Sequence, residues 1–382
     1  MSFPHLSEVL KILDGALKSN SSMAINYAGL LADKLEKDGQ REVSVRIRER
    51  LSRVSSAIAH AQDSSRLSEG LPIDNESRLN TIDVNIPSTT PIQLYLPSAT
   101  RIRIEEFIKS CQNYDALKLA NASSPLRVFL YGPPGTGKTQ TAKWISQELD
   151  LPLLTVRCDT LISSLLGQTS KNIRKVFDYV EQRPCILFLD EMDALATARG
   201  NERDVGELQR VVISLLQNID ALGENTIIVA ASNHEKLLDP AIWRRFPFLV
   251  PLPLPDVVLR IELWKAMLGS YAPDNLDWKY LAARSNAISG SLIEQVSLDA
   301  KRSAIMQGSA KVDISELYRR LSLSYAILNR LVFSTVNQEV KWLREWDEKQ
   351  FSIRELSRLY GISTRKITQF IKGDIDEKGA AS

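Results

Sequence analysis

Gly132–Thr139 reads GPPGTGKT. It follows a short apolar run, Arg127–Gly132 (RVFLYG), and leads into a helical stretch from Thr139 to Asp150. Strand, glycine-rich loop and helix in that order make a phosphate cradle. Glycines let the backbone curl with no Cβ in the way, so successive N–H groups point inward at the head of a helix. Pro134, Gly135, Thr136, Gly137, Lys138, Thr139 and Gln140 are the residues this reading puts around bound nucleotide. Lys138 is expected to reach the β- and γ-phosphates, and Thr139 to bind Mg²⁺ through its hydroxyl.

Three further stretches extend the reading. ILFLDEMDAL, residues 186–195, is an apolar strand that delivers two acids to its C-terminal end. Asp190 there is a candidate Mg²⁺ ligand, and Glu191 a candidate for polarising an attacking water. Two surface acids after a strand is the plainer alternative, set against the cost of adjacent buried carboxylates without a cation. IIVAASNH, residues 227–234, ends another apolar strand in a polar pair. Asn233 could position the lytic water or sense the γ-phosphate, although strands often end in Ser-Asn. DPAIWRRFPF, residues 239–248, places Arg244 and Arg245 before an aromatic. An arginine given to a neighbour's nucleotide offsets charge as the γ-phosphate leaves. A helix-capping or salt-bridged pair is the alternative.

The apolar runs around these motifs alternate with helical patterns between about residues 100 and 252. PLLTVRC, CILFLD and TIIVAAS read as strands, and RIRIEEFIKSCQ, KNIRKVFDYVEQ and LQRVVISLLQNID as helices. Continuous apolar strands separated by helices predict a parallel sheet covered on both faces. The expected fold is therefore α/β, a P-loop sheet followed by a small helical lid, with helical extensions at both ends. The expected organisation is an N-terminal helical domain over 1–65, a linker over 66–94, a nucleotide-binding domain over 95–252, a helical lid over 253–322 and a C-terminal helical extension over 323–382. The linker follows from Pro72, Pro87 and Pro91 among many Ser, Thr and Asn residues.

GPPGTGKT, LDEMDAL, AASNH and LDPAIWRRF, in that order, resemble the AAA+ superfamily, and within it the clade of spastin, katanin and the membrane-protein unfoldases. The resemblance covers about residues 95–310, and AISGSLIEQVSLDAKRSAI is similar to a small-domain helix of that clade. It implies that Lys138 and Thr139 belong to Walker A, Asp190 and Glu191 to Walker B, and that Asn233 is the sensor. Arg244 and Arg245 are then candidate fingers acting on the next subunit, with Gly290 and Ser291 near the adenine and ribose. It also implies ATP and Mg²⁺ as cofactors and assembly into a ring, typically of six subunits. One departure matters. Where threading members carry an aromatic residue in the loop after the second strand, this chain has Leu165, Leu166 and Gly167. Leucine grips a translocating chain less firmly than a large rigid ring. The expected activity is ATP hydrolysis that remodels or regulates a protein partner.

The bulk composition narrows the partners. Of 382 residues, 44% are apolar and 25% charged, as in a globular protein. Lys and Arg number 48 against 46 acids, a net charge of +2, so no global field draws the chain to nucleic acid or anionic membrane. Cys111, Cys158 and Cys185 form neither a disulfide framework nor a zinc spacing, which fits a reducing cytosol. No signal peptide or membrane-spanning run is visible, so a cytoplasmic protein without membrane insertion is expected.

The two ends add possible partners. The N-terminal helices loosely resemble small helical adaptor domains, a fair dock for protein. Their arginine-rich run 41–61 is either a contact face or a solvated one. FSIRELSRLYGISTRKITQFIKG, residues 351–373, matches a helix-turn-helix, with Ile353, Leu356 and Leu359 as one apolar stripe, Gly361 at the turn and Ser363 as cap. Ile367, Phe370 and Ile371 face inward in that reading, while Thr364, Arg365, Lys366 and Gln369 face outward, where DNA could be met. A helical hairpin that binds protein is the alternative, and Glu348, Asp374, Asp376 and Glu377 weaken the electrostatic footprint. A DNA-associated ATPase (a loader or a transposition or defence regulator) and a nucleotide-dependent assembly scaffold thus stand beside the leading reading.

Overall fold

Six strands form one sheet among the described residues: β1 (Asp83–Asn85), β2 (Arg127–Tyr131), β3 (Leu153–Arg157), β4 (Ile186–Asp190), β5 (Ile227–Ser232) and β6 (Phe248–Pro251). The order is β1-β3-β4-β5-β2-β6. All neighbours are parallel except β1, which runs antiparallel to β3. Successive strand residues are buried on opposite faces: Val128 and Leu130 join one core, Phe129 the other. Burial on both sides is why these segments read as unbroken apolar runs. This computed structural model describes residues 5–17, 21–54, 82–158, 169–194, 205–234 and 240–372. The chain divides into two units, Met1–Pro253 and Leu254–Ser382.

The first unit begins with α1 (Leu6–Leu17), α2 (Ser21–Lys37) and α3 (Arg41–Val54), packed in sequence. Gly15 lets α1 and α2 cross closely: a Cβ there would lie 2.6 Å from the Ala24 nitrogen. α2 is tied to the loop before β4, since Asn26 Nδ2 donates to the Gln182 carbonyl at 3.1 Å and the Tyr27 hydroxyl to that of Arg183 at 3.4 Å. One face of the sheet is covered by α4 (Ser98–Gln112) and α6 (Lys138–Leu149), with α5 (Tyr114–Leu119) between them in sequence. The other is covered by α7 (Thr169–Glu181), α8 (Val205–Ala221) and the short α9 (Pro240–Trp243). Fully burying a side chain such as Phe188 or Ile145 contributes about 1.5–3 kcal/mol, and both faces supply many.

Two strands carry no clear signal in the sequence. β6 is bracketed by Pro247 and Pro251, and proline is tolerated there because β6 is an edge strand. β1 has only three residues, yet Val84 pairs with Leu154, and Ile82 just before it is buried. Further along, Ile92 N–H donates to Gln147 Oε1 at 2.9 Å and Leu96 is buried, so residues 82–97 cross the sheet domain as an ordered strap.

The second unit is helical: α10 (Val257–Leu268), α11 (Trp278–Arg284), α12 (Gly290–Met306), α13 (Ile314–Leu328), α14 (Val336–Trp346), α15 (Ile353–Tyr360) and α16 (Thr364–Lys372). Side-chain caps set several starts. Asp256 accepts from Leu259 N–H at 2.8 Å, Asp277 from Tyr280 N–H at 3.0 Å and Asp313 from Glu316 N–H at 2.9 Å. The buried Arg260 guanidinium donates to the carbonyls of Pro255 and Ala282, and the Trp264 indole to Ser285 Oγ at 3.0 Å. No described helix is long and apolar enough to cross a membrane.

Candidate nucleotide site

The strand order puts the motifs together. β5 lies between β2 and β4, so the C-terminal ends of these three strands are neighbours. Chain leaving β2 passes through α6 to β3, on the far side of β4. Such a switch opens a crevice at the strand ends, where α/β sheets bind ligands.

The glycine-rich loop leaves β2 with Gly132 at φ 147°. A Cβ at Gly132 would sit 2.2 Å from the Leu252 carbonyl oxygen, so only glycine allows the loop to pass the exit of β6. Gly135 and Gly137 also have positive φ, 75° and 94°, and Gly137 caps α6. Pro134 and Gln140 are exposed, while Gly135 and Thr136 are half-buried. The Thr136 hydroxyl donates to the Pro133 carbonyl at 2.9 Å. Lys138 is the first residue of α6 and is buried; its ammonium donates to the carbonyls of Gly132 and Pro133, each at 2.8 Å. The loop thus folds round its own cation, and phosphate oxygens would replace those carbonyls as its partners.

Thr139 Oγ1 donates to Asp190 Oδ2 at 3.1 Å. A hydroxyl and a carboxylate side by side, both reachable from solvent, are the hard oxygen donors Mg²⁺ accepts when phosphates complete its shell. The donor set therefore fits that ion. Glu191 follows with φ 56°, in the left-handed region, and its N–H donates to Asp190 Oδ1 at 2.9 Å. That backbone conformation is costly for a non-glycine residue and redirects the side chain as the chain leaves the strand.

A clamp joins the ends of β4 and β5. Asp193 Oδ1 accepts from Ser232 Oγ at 3.0 Å and from Asn233 N–H at 2.9 Å. Met192 N–H donates to the Ala231 carbonyl at 2.9 Å. Asp193 and Ser232 are not marked in the sequence reading; the third acid of DEMD is the one signal for them. The clamp sets where Asn233 stands relative to Asp190 and Glu191.

The arginine pair is anchored by aromatics. The Trp243 ring lies 4.9 Å from that of Phe129 and 5.3 Å from that of Tyr131, and Phe246 lies 5.3 Å from Phe129. The two arginines between these anchors differ. Arg245 makes a forked pair with Asp220, at 2.8–3.0 Å, and donates to the Ala241 carbonyl at 2.7 Å. Arg244 is exposed and makes no ion pair with another described residue. Gly290 and Ser291 lie in the second unit, at the first turn of α12, where the hydroxyls of Ser289 and Ser291 are 3.2 Å apart. Leu165, Leu166 and Gly167 lie outside the described residues.

Known proteins resemble this chain across the sheet domain. Residues 128–254 match the family model described as ATPase family associated with various cellular activities (AAA). The chain is 35% identical over 225 residues to y4kL of Sinorhizobium fredii, itself named only as an uncharacterized AAA family ATPase, covering 59% of this chain and 68% of that one. It is 29% identical over 297 residues to a proteasome-activating nucleotidase of Saccharolobus islandicus, covering 73% of this chain and 74% of the relative. It is 33% identical over 220 residues to a cell division cycle protein 48 homolog of Archaeoglobus fulgidus, of which it spans 30%. The family model, with two relatives matched over more than two thirds of their length, places this chain in the AAA family as an ATP-hydrolysing enzyme.

Proposed function

We propose that the chain is a ring-forming ATPase, of the six-subunit pattern, that uses ATP hydrolysis to remodel or regulate a protein partner. The observation that carries the reading is the 3.1 Å contact between Thr139 and Asp190, with Glu191 next in the chain. ATP with Mg²⁺ supplies a phosphoryl group whose transfer to water releases the free energy used. In this reading Lys138 binds the β- and γ-phosphates within the Pro134–Gln140 loop, and Thr139 and Asp190 hold the metal. Glu191 takes a proton from the attacking water, which Asn233 orients. Gly290 and Ser291 serve the adenine and ribose end. Arg244 is the better finger for a neighbouring subunit, because Arg245 is already engaged by Asp220.

The protein target is supported by one relative's name, proteasome-activating nucleotidase. The three cysteines are free, in keeping with a reducing cytosol. The test is Glu191→Gln. It should bind nucleotide as the parent does and lose turnover by about 10²–10⁴-fold, the usual worth of a positioned base. Hydrolysis at the parent rate would overturn the reading, whereas a pull-down with this trapped form should retain the partner.

A further inference from the structure

α14, α15 and α16 form a small three-helix body that the nucleotide chemistry does not use. They enclose Val340, Leu343, Phe351, Leu356 and Ile367, all buried, and α16 packs against both α14 and α15. Ser352 caps α15: its Oγ accepts from Glu355 N–H at 3.2 Å. Gly361, at φ 64° and ψ 25°, ends α15. The three-residue turn Gly361–Ser363 is tied at both ends. Ser357 Oγ donates to the Ile362 carbonyl at 2.6 Å, and Ser363 Oγ accepts from Lys366 N–H at 3.4 Å. Two helices joined by a short glycine turn, with a third packed behind, is the helix-turn-helix arrangement. In it the second helix of the pair enters the major groove and its N-terminal residues meet base edges.

The charges are sorted to match. The acids of this body are mostly drawn into ion pairs: Glu339 with Arg319 at 2.6 Å, Asp347 with Arg284 at 3.0 Å, and Glu355 and Glu348 with Arg358 and Arg344. Residues 353–372 hold five bases and one acid, Glu355, in a protein whose net charge is only +2. Arg354, Arg365, Lys366 and Lys372 are exposed and make no ion pair with another described residue. Burial of Ile367 fixes the rotation of α16, so that Arg365, Gln369 and Lys372, at i, i+4 and i+7, form one outward stripe. Asp374, Asp376 and Glu377 follow the C-terminal end of α16, after the half that carries Thr364–Gln369.

We infer that α16 is a recognition helix for the major groove of duplex DNA. Arg365 and Gln369 face base edges, and Arg354, Lys366 and Lys372 meet phosphates. Arginine forks onto guanine O6 and N7, and glutamine onto adenine N6 and N7. The outward neutral amide of Gln369, one turn from Arg365, favours a base edge over an acidic protein segment, which would call for a further cation there. This binding is an addition to the ATPase reading and does not depend on it.

The test is anisotropy of the full-length protein with a labelled duplex of about 30 base pairs. Binding should be measurable near 50 mM salt and weaken about fortyfold by 200 mM, as three phosphate contacts require. Arg365→Ala should lose about tenfold. Arg365→Glu/Lys366→Glu should abolish binding with unchanged helical content and ATPase rate, and Lys279→Glu, on α11, should leave affinity intact. Arg365→Gln/Lys366→Gln keeps helix-forming side chains, so a loss of binding in it cannot be put down to unfolding. No binding at low salt overturns the proposal, as does binding that both double variants retain. Competition by polyglutamate as effective as that by duplex would also overturn it, marking the face as a dock for an acidic protein.

Discussion

Arg245 is forked onto Asp220, with both carboxylate oxygens within 3.0 Å of the guanidinium, while Arg244 beside it stands exposed. One sequence pair thus splits into a structural arginine and an available one. Arg244→Ala should leave the thermal midpoint unchanged and lower turnover by about 10³-fold or more, the range for a lost finger. Mixing with Lys138→Ala subunits should restore part of the activity, because the intact Arg244 of one subunit would serve the intact pocket of the next. Arg245→Ala should do the reverse, costing about 1 kcal/mol of stability with a smaller loss of turnover. Equal losses of turnover from both variants would remove the distinction.

Gly132 permits the loop to pass β6. Gly132→Ala forces a Cβ to 2.2 Å from the Leu252 carbonyl at a φ of 147°, so the loop or β6 must move. Strain of this kind costs about 1–3 kcal/mol. Thermal unfolding should show the loss, and nucleotide titration should show weakened binding with it. A variant with parent stability and affinity would mean that the backbone yields freely there.

The Asp193 clamp gives a subtler expectation. Asp193→Ala leaves Ser232 Oγ and Asn233 N–H without their shared acceptor. Loss of such buried bonds costs about 1–3 kcal/mol, and Asn233 loses its fixed position. Nucleotide affinity should stay within about threefold while turnover falls about tenfold or more, a split that a general loss of structure would not give. Ser232→Ala, which removes one of the two bonds, should lie between parent and Asp193→Ala.

What could be read in the sequence follows from how local each feature is. GPPGTGKT is legible because its chemistry is contiguous, and β2, β4 and β5 because burial on both faces makes each an apolar run. β6 escaped because prolines bracket it, and β1 because three residues carry no period. The Asp193–Asn233 and Arg245–Asp220 contacts join residues 40 and 25 apart and exist only because β4 abuts β5 and the α9 turn reaches α8. No local pattern encodes them. The helix-turn-helix pattern lies at the other extreme: Gly361 and Ser363 mark its turn and its second cap within three residues, and both act so in the fold.

Beneath the sheet, a cavity of about 470 Å³ lies between α1–α2 and the chain leading into β3, β4 and β5, lined by Tyr27, Cys111 and Cys185 among others. Burial pushes the Cys185 thiol up to about 12, partly countered by the Arg183 cation, and raises Cys111 for the same reason. An unfolded thiol ionises near its ordinary value of 9.0, so between that pH and about 12 the folded chain holds a proton the unfolded chain has lost. The contribution of Cys185 to stability is therefore full below pH 9 and falls as pH rises through that window. Urea midpoints at about pH 8 and 10.5 should show a larger alkaline loss for the parent than for Cys185→Ala, which also removes the charge that the Cys185 thiolate sets against ionisation of Tyr27 and Tyr179. At pH 8 the native thiol should resist alkylation, since the thiolate is the nucleophile. Tyr27→Ala, which removes a ring that lines the cavity and its bond to the Arg183 carbonyl, should speed that reaction. Equal alkaline slopes for parent and Cys185→Ala, or alkylation of Cys185 unaffected by Tyr27→Ala, would mean that the N-terminal helices do not seal this end of the sheet.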